Sequence, residues 1–551
     1  MASLSSYNQT LGLKNAAHLA RRATFGATKA QIDQFAKMQP AQAVAQLFEL
    51  PSETEAPKDP ATGSAWVNPK PTDVNSGGEE LIGQTKAWWL HSFLQSECCI
   101  SPKSAFFLHT HFTTISSRIR FAPSIYYQIR LFEKFALGNF KELAKCICID
   151  NAMLQHLDGQ LNRKGSPNEN FAREFLELYS IGKGPQLGPD DYTNYTELDV
   201  VEAAKVFSGY QIDEEFTNLN SETNLSQALV RKNDQELAAQ HDSSTKTFST
   251  AFQQQTIAPV ESSNGMATEE GALDEIHQLV EMIFEQDATA QHICRKLYRF
   301  YVYYEISEEI EQDIIIPLAN VFRENNYELK PVLEKLFTSQ HFYDLDNTQS
   351  EDNHVGAIIK SPLDLVTGMH RFFEVPLPGD QGDLSAYYSA LNKGGLKPLQ
   401  DQGLDLYEPF EVAGYPAYHQ SPAFHRNWIS ANYLARRYEY AKILIEGIYD
   451  DEGQLLLKLD VMDYVTDSSH ITDPSNAEQL VRELVDYVLP EEISEERFEY
   501  FLKAILLDNL SEINWQFEWQ HYESSGDDSA VRVQLEKLFN TILQSPEYQL
   551  S

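Results

Sequence analysis

The densest run of chemically capable side chains lies between Ser166 and Tyr210. It reads Pro167-Asn168-Glu169-Asn170-Phe171-Ala172-Arg173-Glu174, then Glu177-Leu178, and later Tyr195-Thr196-Glu197 and Asp199-Val200. Glu174 and Glu177 are three apart, so a helix sets both carboxylates on one face. Such a pair can ligate a divalent cation or divide the roles of acid and base. Arg173 beside them can hold an anion. Read this way, Glu174, Glu177 and Arg173 are the catalytic candidates, with Asn168, Asn170 and Asp199 as binding groups. Most of them also have a purely local explanation. Ser166 and Glu169 fit a capping box. Arg173 with Glu177, and Glu169 with Arg173, fit ordinary ion pairs at i,i+4. Only Glu174 has no such competitor.

His109 and His111 are the metal candidates. In a strand, imidazoles two apart point the same way. Ser101-Pro102, however, opens what reads as a helix through Ser116, where residues two apart diverge by about 200°. His109 then joins the stripe of Ala105 and Phe112, and His111 that of Leu108 and Ile115. A packed or hydrogen-bonded histidine is the competing reading. His241-Asp242 and the pair His419 and His425 lie in polar stretches at spacings that match no metal motif. The sequence has no GxSxG, HExxH, Walker loop or strand-linked Rossmann glycine pattern. It therefore names no cofactor.

These side chains need elements to hold them, and the pattern is helical. Phe171, Phe175 and Leu178 repeat at i, i+4, i+7, the spacing of a buried stripe. Gly182 sits where a C-terminal cap belongs. Thr196 and Asp199 mark a second start, followed by Val200, Ala203, Ala204 and Phe207. Ser-Pro at 101, 166, 361, 421 and 545, and Asp473-Pro474, offer further starts, because proline loses no hydrogen bond in the first turn. Helices are expected near 16–22, 29–39, 41–50, 79–96, 125–137, 142–149, 273–284, 290–303, 310–325, 331–338, 422–445, 477–488 and 495–506. Strand-like alternation is scarce. The expectation is an all-α fold with little or no β-sheet. It is one large helical domain over 1–551, with polar loop insertions near 51–78, 213–270 and 375–420.

Composition narrows the partners. The 551 residues carry a formal charge of −38 and are 42% hydrophobic. Such a surface repels phosphate backbones, so nucleic acid is not an expected partner. Arg118, Arg120, Arg130 and Lys134 form the one basic stretch and read as a helix face paired with acids. No apolar run reaches the roughly 18 residues of a membrane span. Residues 1–27 show no secretory signal, which points to the cytoplasm. Cys98, Cys99, Cys146, Cys148 and Cys294 make no C-x-x-C and suggest reduced thiols. A protein partner is the macromolecular class left open, and oligomeric state is not readable.

The central run resembles a bacterial family catalogued as domain of unknown function 1800. Its hallmark is similar to PNENFARE–ELxxxG followed by YTExDV. Other pieces resemble it in the same order. They are His18-Leu19 with Arg21-Arg22-Ala23-Thr24-Phe25-Gly26, His109-Thr110-His111-Phe112, Met153-Leu154 with Leu157-Asp158, Asn162 and Lys164, Arg295-Lys296-Leu297-Tyr298, Ile359-Lys360-Ser361-Pro362 and Gly414-Tyr415-Pro416. The family pattern has a tryptophan before the first histidine where this chain has Leu108, and asparagine where it has Thr110. The resemblance implies no known activity; many relatives look exported. Two functions follow as expectations. The first is a helical binding or assembly protein with a charged central motif. The second is a hydrolase, metal-dependent or not, working through Glu174 and Glu177.

Overall fold

A computed structural model describes residues 2–51, 54–67, 78–95, 97–188, 191–258, 265–346, 354–379 and 382–551. Helices dominate it, as the apolar periodicity requires. Among the described residues, strands occur only as four short antiparallel pairs, such as Tyr210–Gln211 with Leu229–Val230 and Lys246–Thr247 with Thr256–Ile257. No helix among them is long and apolar enough to cross a membrane.

One contiguous apolar cluster runs from Leu4 and Leu19 through Trp89, Phe106, Phe175, Ile293, Leu363 and Leu444 to Leu538. Around it stand the helices that matter for the site. Ser101–His111 is buried along nearly its whole length. Glu169–Glu174 runs without a break into a π-helical turn, Phe175–Tyr179. Glu197–Val206 packs beside it: Phe171 and Phe175 meet Phe207 with centroids 4.8 and 5.5 Å apart. Asp287–Tyr301 and Pro362–Phe372 complete the surround.

Several expected elements differ in instructive ways. Helix Ser101–His111 ends five residues before Ser116 was reached, with Phe112 leaving helical geometry. Ser361 caps its helix through Asp364 N–H, as Ser-Pro suggested. Ser166 does not: the cap is Asn168, whose side chain accepts from Asn170 N at 3.0 Å. Of the stretch 422–445, only Ala431–Glu446 is α-helical, after the 3-10 run Phe424–Ile429.

The stretch 375–420, expected as a polar loop, contains helices Leu384–Leu391 and Lys397–Asp401 joined by a π-helical turn. Its Gly394 and Gly395 are packing glycines. A Cβ on them would come within 2.1 Å of Leu457 and 2.3 Å of Leu90. Of 213–270, residues 259–264 lie outside the described residues; the rest is mostly irregular yet anchored, with Phe216, Phe248, Phe252 and Ile257 buried. Of 51–78, residues 52–53 and 68–77 lie outside the described residues.

Candidate functional site

The central helix is held at both ends by its own motif. At the N-terminal end, Asn168 N donates to Asn162 Oδ1 (3.0 Å) and Asn168 Nδ2 to Asp158 O (3.2 Å). Asn162 is fully buried and its Nδ2 donates to Ala204 O at 2.8 Å. Asn170 Nδ2 reaches Leu157 O at 3.4 Å. The amides therefore tie the helix start to the preceding turn and to the neighbouring helix, satisfying backbone groups that burial would otherwise leave unpaired.

Arg173 does not pair with Glu177. Its guanidinium grips Glu197 with both Nη atoms, the second at 2.7 Å, and Nη2 also reaches Glu169 Oε2 at 3.3 Å. The cause is geometric. The π-helical turn begins at Phe175 and rotates everything after it, so Glu177 faces Lys183 and, at 3.4 Å, the Tyr195 hydroxyl. The same rotation buries Leu176 and Tyr179 and leaves Leu178 only half-buried, displacing the expected stripe. A bidentate guanidinium–carboxylate pair is the stronger contact, and the turn leaves Glu197 as its natural partner. The hydrogen bonds from Arg173, with its charge behind them, hold the Glu197 carboxyl below its usual value.

Glu174 stands apart. It is half-buried and makes no hydrogen bond or ion pair among the described residues. Burial, with the neighbouring Glu177 charge second, pushes its carboxyl above the ordinary glutamate value. The charge of Glu177 thus reaches Glu174, but Glu177 has Lys183 and Tyr195 as partners, so Glu174 alone is the locally unexplained acid of the motif.

The C-terminal end gathers pieces from two other parts of the chain and closes on its own Gly182. A helix leaves its last carbonyls without intrahelical partners, and cations there also meet the favourable end of the dipole. Tyr179 O receives His111 Nε2 at 2.8 Å. Leu178 O receives Lys296 Nζ at 2.8 Å and lies 3.3 Å from His292 Nε2. Gly182 N donates to Leu176 O at 2.9 Å. Burial drives Lys296 down to about 7, with Arg299 adding to the effect, and His292 down to about 3. His292 and Lys296 are four apart on one helix face. Lys296 lies in the quoted Arg295-Lys296-Leu297-Tyr298 block and His292 just before it, but their partner is a backbone carbonyl that no residue spacing announces.

His109 and His111 diverge as helical geometry demands. His109 sits edge-on to Trp89 (5.4 Å) and against Tyr407 (4.2 Å), with Nε2 3.4 Å from the Tyr415 hydroxyl. His111 faces Phe140 and Tyr179. Neither is bonded to Glu174 or Glu177, and no group of three His, Cys, Asp or Glu side chains able to hold a metal occurs among the described residues. Burial pushes His109 down to about 3, so it is a neutral core histidine.

Asp199 is fully buried and takes four hydrogen bonds. Thr196 N and Oγ1 donate at 2.8 and 3.0 Å, closing the expected capping box, and Ser249 N and Oγ donate at 2.7 Å each. One carboxylate thus starts a helix and pins the insertion 213–270 to it.

The motif pieces therefore converge on one helix from distant parts of the sequence. A family model described as protein of unknown function (DUF1800) matches residues 18–550. No curated protein and no solved structure matches the chain. The match spans every block quoted above, from His18 to Tyr415 and beyond, and the chain belongs to the DUF1800 family.

Proposed function

We propose that this chain works as a helical binding or assembly protein, and that its central charged motif organises the fold instead of supplying catalytic carboxylates. One observation carries the reading. Apart from Glu174, the polar side chains singled out in the motif find their partners inside the protein: amides on backbone, Arg173 on Glu197, Glu177 on Lys183, Asp199 on Thr196 and Ser249. Groups committed this way have little capacity left for a substrate. The charge of −38 argues against nucleic acid as a partner. The main apolar cluster, which runs from Ala2 to Tyr548, favours one folding unit.

A hydrolase remains the second reading, because Glu174 is half-buried, unpartnered and raised beside Glu177. A carboxyl in that state suits a general acid. Replacing Glu174 with Gln separates the two. Under the binding reading, Glu174→Gln holds or raises Tm near neutral pH, because it removes a disfavoured charge. The protein purified without chelator then contains no stoichiometric metal. A stoichiometric ion that disappears in Glu174→Gln at unchanged Tm would establish the hydrolase reading in its place.

A further inference from the structure

A pocket of about 40 Å³ lies between helix Asp287–Tyr301, the start of helix Pro362–Phe372 and the 3-10 run Phe424–Ile429. That is room for roughly three waters. Arg22, Lys103, Arg299, Asp364 and His425 line it, so the side chains around it carry three positive charges and one negative. In a protein of charge −38 this local excess stands against the overall field.

The charges are not equally free. Lys103 donates to Arg21 O, Thr24 O and Asp364 Oδ1 at 3.0, 3.1 and 2.8 Å, which uses all three of its protons. Asp364 is further engaged by Ser361 Oγ at 2.7 Å. The lysine and the aspartate therefore cancel each other. Arg22 and Arg299 remain. Arg22 donates its Nη atoms to Val302 O and His354 O, but its buried Nε has no acceptor among the described residues. Arg299 commits Nε to Tyr304 O at 3.2 Å.

His425 supplies the decisive detail. Its Nδ1 accepts from Ile359 N at 3.0 Å. The neutral ring must then carry its proton on Nε2. That Nε2 is buried and has no acceptor among the described residues. Desolvation first, then the charges of Arg426 and Arg22, hold His425 down to about 4, so the ring is neutral at ordinary pH. Two buried N–H donors from residues of one small pocket thus lack partners among the described residues, beside the half-buried guanidinium of Arg299. Buried donors are rarely left so, and each calls for an acceptor.

We propose that this pocket binds a small oxyanion, phosphate or sulfate, free or as the terminal group of a larger ligand, held by Arg22, Arg299 and the Nε2–H of His425. The pocket is too small for a polyanion, which the surface charge would also repel. Arg22 belongs to the Arg21-Arg22-Ala23-Thr24-Phe25-Gly26 block, and Asp364 follows Ile359-Lys360-Ser361-Pro362. The site thus sits where two quoted blocks meet, away from the central helix. It deepens the binding reading given above by naming a ligand class.

The test is a thermal-shift and calorimetric titration of the full chain with sodium phosphate, methyl phosphate and sodium sulfate. Sodium chloride at matched ionic strength is the reference. Saturable stabilisation by the oxyanions beyond chloride is expected. Methyl phosphate matching phosphate identifies a terminal group as the natural source; phosphate alone identifies the free ion. Arg299→Gln and His425→Leu weaken binding at least about tenfold, whereas His425→Gln, which keeps a neutral donor, loses less. Arg299 is only half-buried, whereas His425 is buried, so the arginine variant folds even if the histidine variant does not. Oxyanion curves that superimpose on chloride mean that only water fills the pocket, and they overturn the proposal. Binding that is unaltered in Arg299→Gln and His425→Leu overturns it equally. Neither result touches the binding reading itself, which falls only on the Glu174→Gln and metal measurements.

Discussion

Arg173 and Glu197 are joined by two parallel hydrogen bonds, one of 2.7 Å, across 24 residues of sequence. The pair links the two halves of the family signature and fixes the central helix against Glu197–Val206. Both side chains are about one-third exposed, so solvent screens the charge and geometry supplies much of the value. Arg173→Gln is expected to lose about 1 kcal/mol of stability, and Arg173→Lys nearly as much, since an ammonium cannot reproduce the fork. A double-mutant cycle with Glu197→Gln in urea measures the coupling. A coupling energy indistinguishable from zero would remove the pair from the account of the fold.

The buried histidines make the protein sensitive to mild acid. Burial depresses His109 to about 3, and His156 and His370 to about 4. The fold binds fewer protons than the unfolded chain between these values and the ordinary histidine value of about 6.5. The sign follows: the stability contributed is present above that value and is lost as pH falls through the window. Each such group contributes a slope of about 1.4 kcal/mol per pH unit. Asp150, pushed up to about 7 by burial, opposes this with a single slope of the other sign, which the three rings outweigh. Relief of acidic self-repulsion adds to the opposition at lower pH, where surface carboxylates protonate. Urea midpoints are therefore expected to fall steadily from neutrality to about pH 5. A flat profile there would mean that these rings are solvated or already charged.

Strong periodicity was readable and weak periodicity was not. Ala477–Val488 coincides with its expected bounds because Leu480, Val481, Leu484, Val485 and Val488 repeat on a single buried face. Glu512–Ser525 went unnoticed because it is apolar on opposite sides: Trp515 and Trp519 are buried, while Ile513 and Phe517 are exposed. In the central motif the carboxylate spacing and the Thr196–Asp199 cap were legible. The partner of Arg173 was not, because no residue type announces the π-helical turn at Phe175 that redirects Glu177. Lys296 and His292 were hidden for a different reason. Their partner is a backbone carbonyl, which leaves no trace in side-chain spacing.

Lys246 and Glu275 are fully buried against each other, with His241 Nε2 3.2 Å from the same carboxylate oxygen. His241 Nδ1 is anchored on Ser208 O at 2.8 Å. This triad fastens the insertion 213–270 to helix Glu269–Phe284. Lys246→Met strands a carboxylate in the interior and is expected to cost about 3–5 kcal/mol. Lys246→Met with Glu275→Leu removes the orphan and should recover most of that loss. Guanidinium denaturation of the three proteins checks it. A double variant no more stable than the single one would show that the lysine acts through packing alone.

Gly182 ends the central helix at φ +71°, and a Cβ there would lie 2.6 Å from His292 Nδ1. Two separate penalties follow for Gly182→Ala. The left-handed backbone costs an L-residue about 1–2 kcal/mol. The methyl group must also push the imidazole off Leu178 O, leaving Lys296 as the carbonyl's only side-chain donor. Replacing His292 with Ser separates the two, because it vacates the space and leaves the dihedral unchanged. Gly182→Ala should therefore cost distinctly less in a His292→Ser background than in the parent. If the two costs are equal, crowding is irrelevant and the glycine is there for its backbone alone. If the parent tolerates alanine without loss, the packing of this helix end against Asp287–Tyr301 is looser than the contacts require.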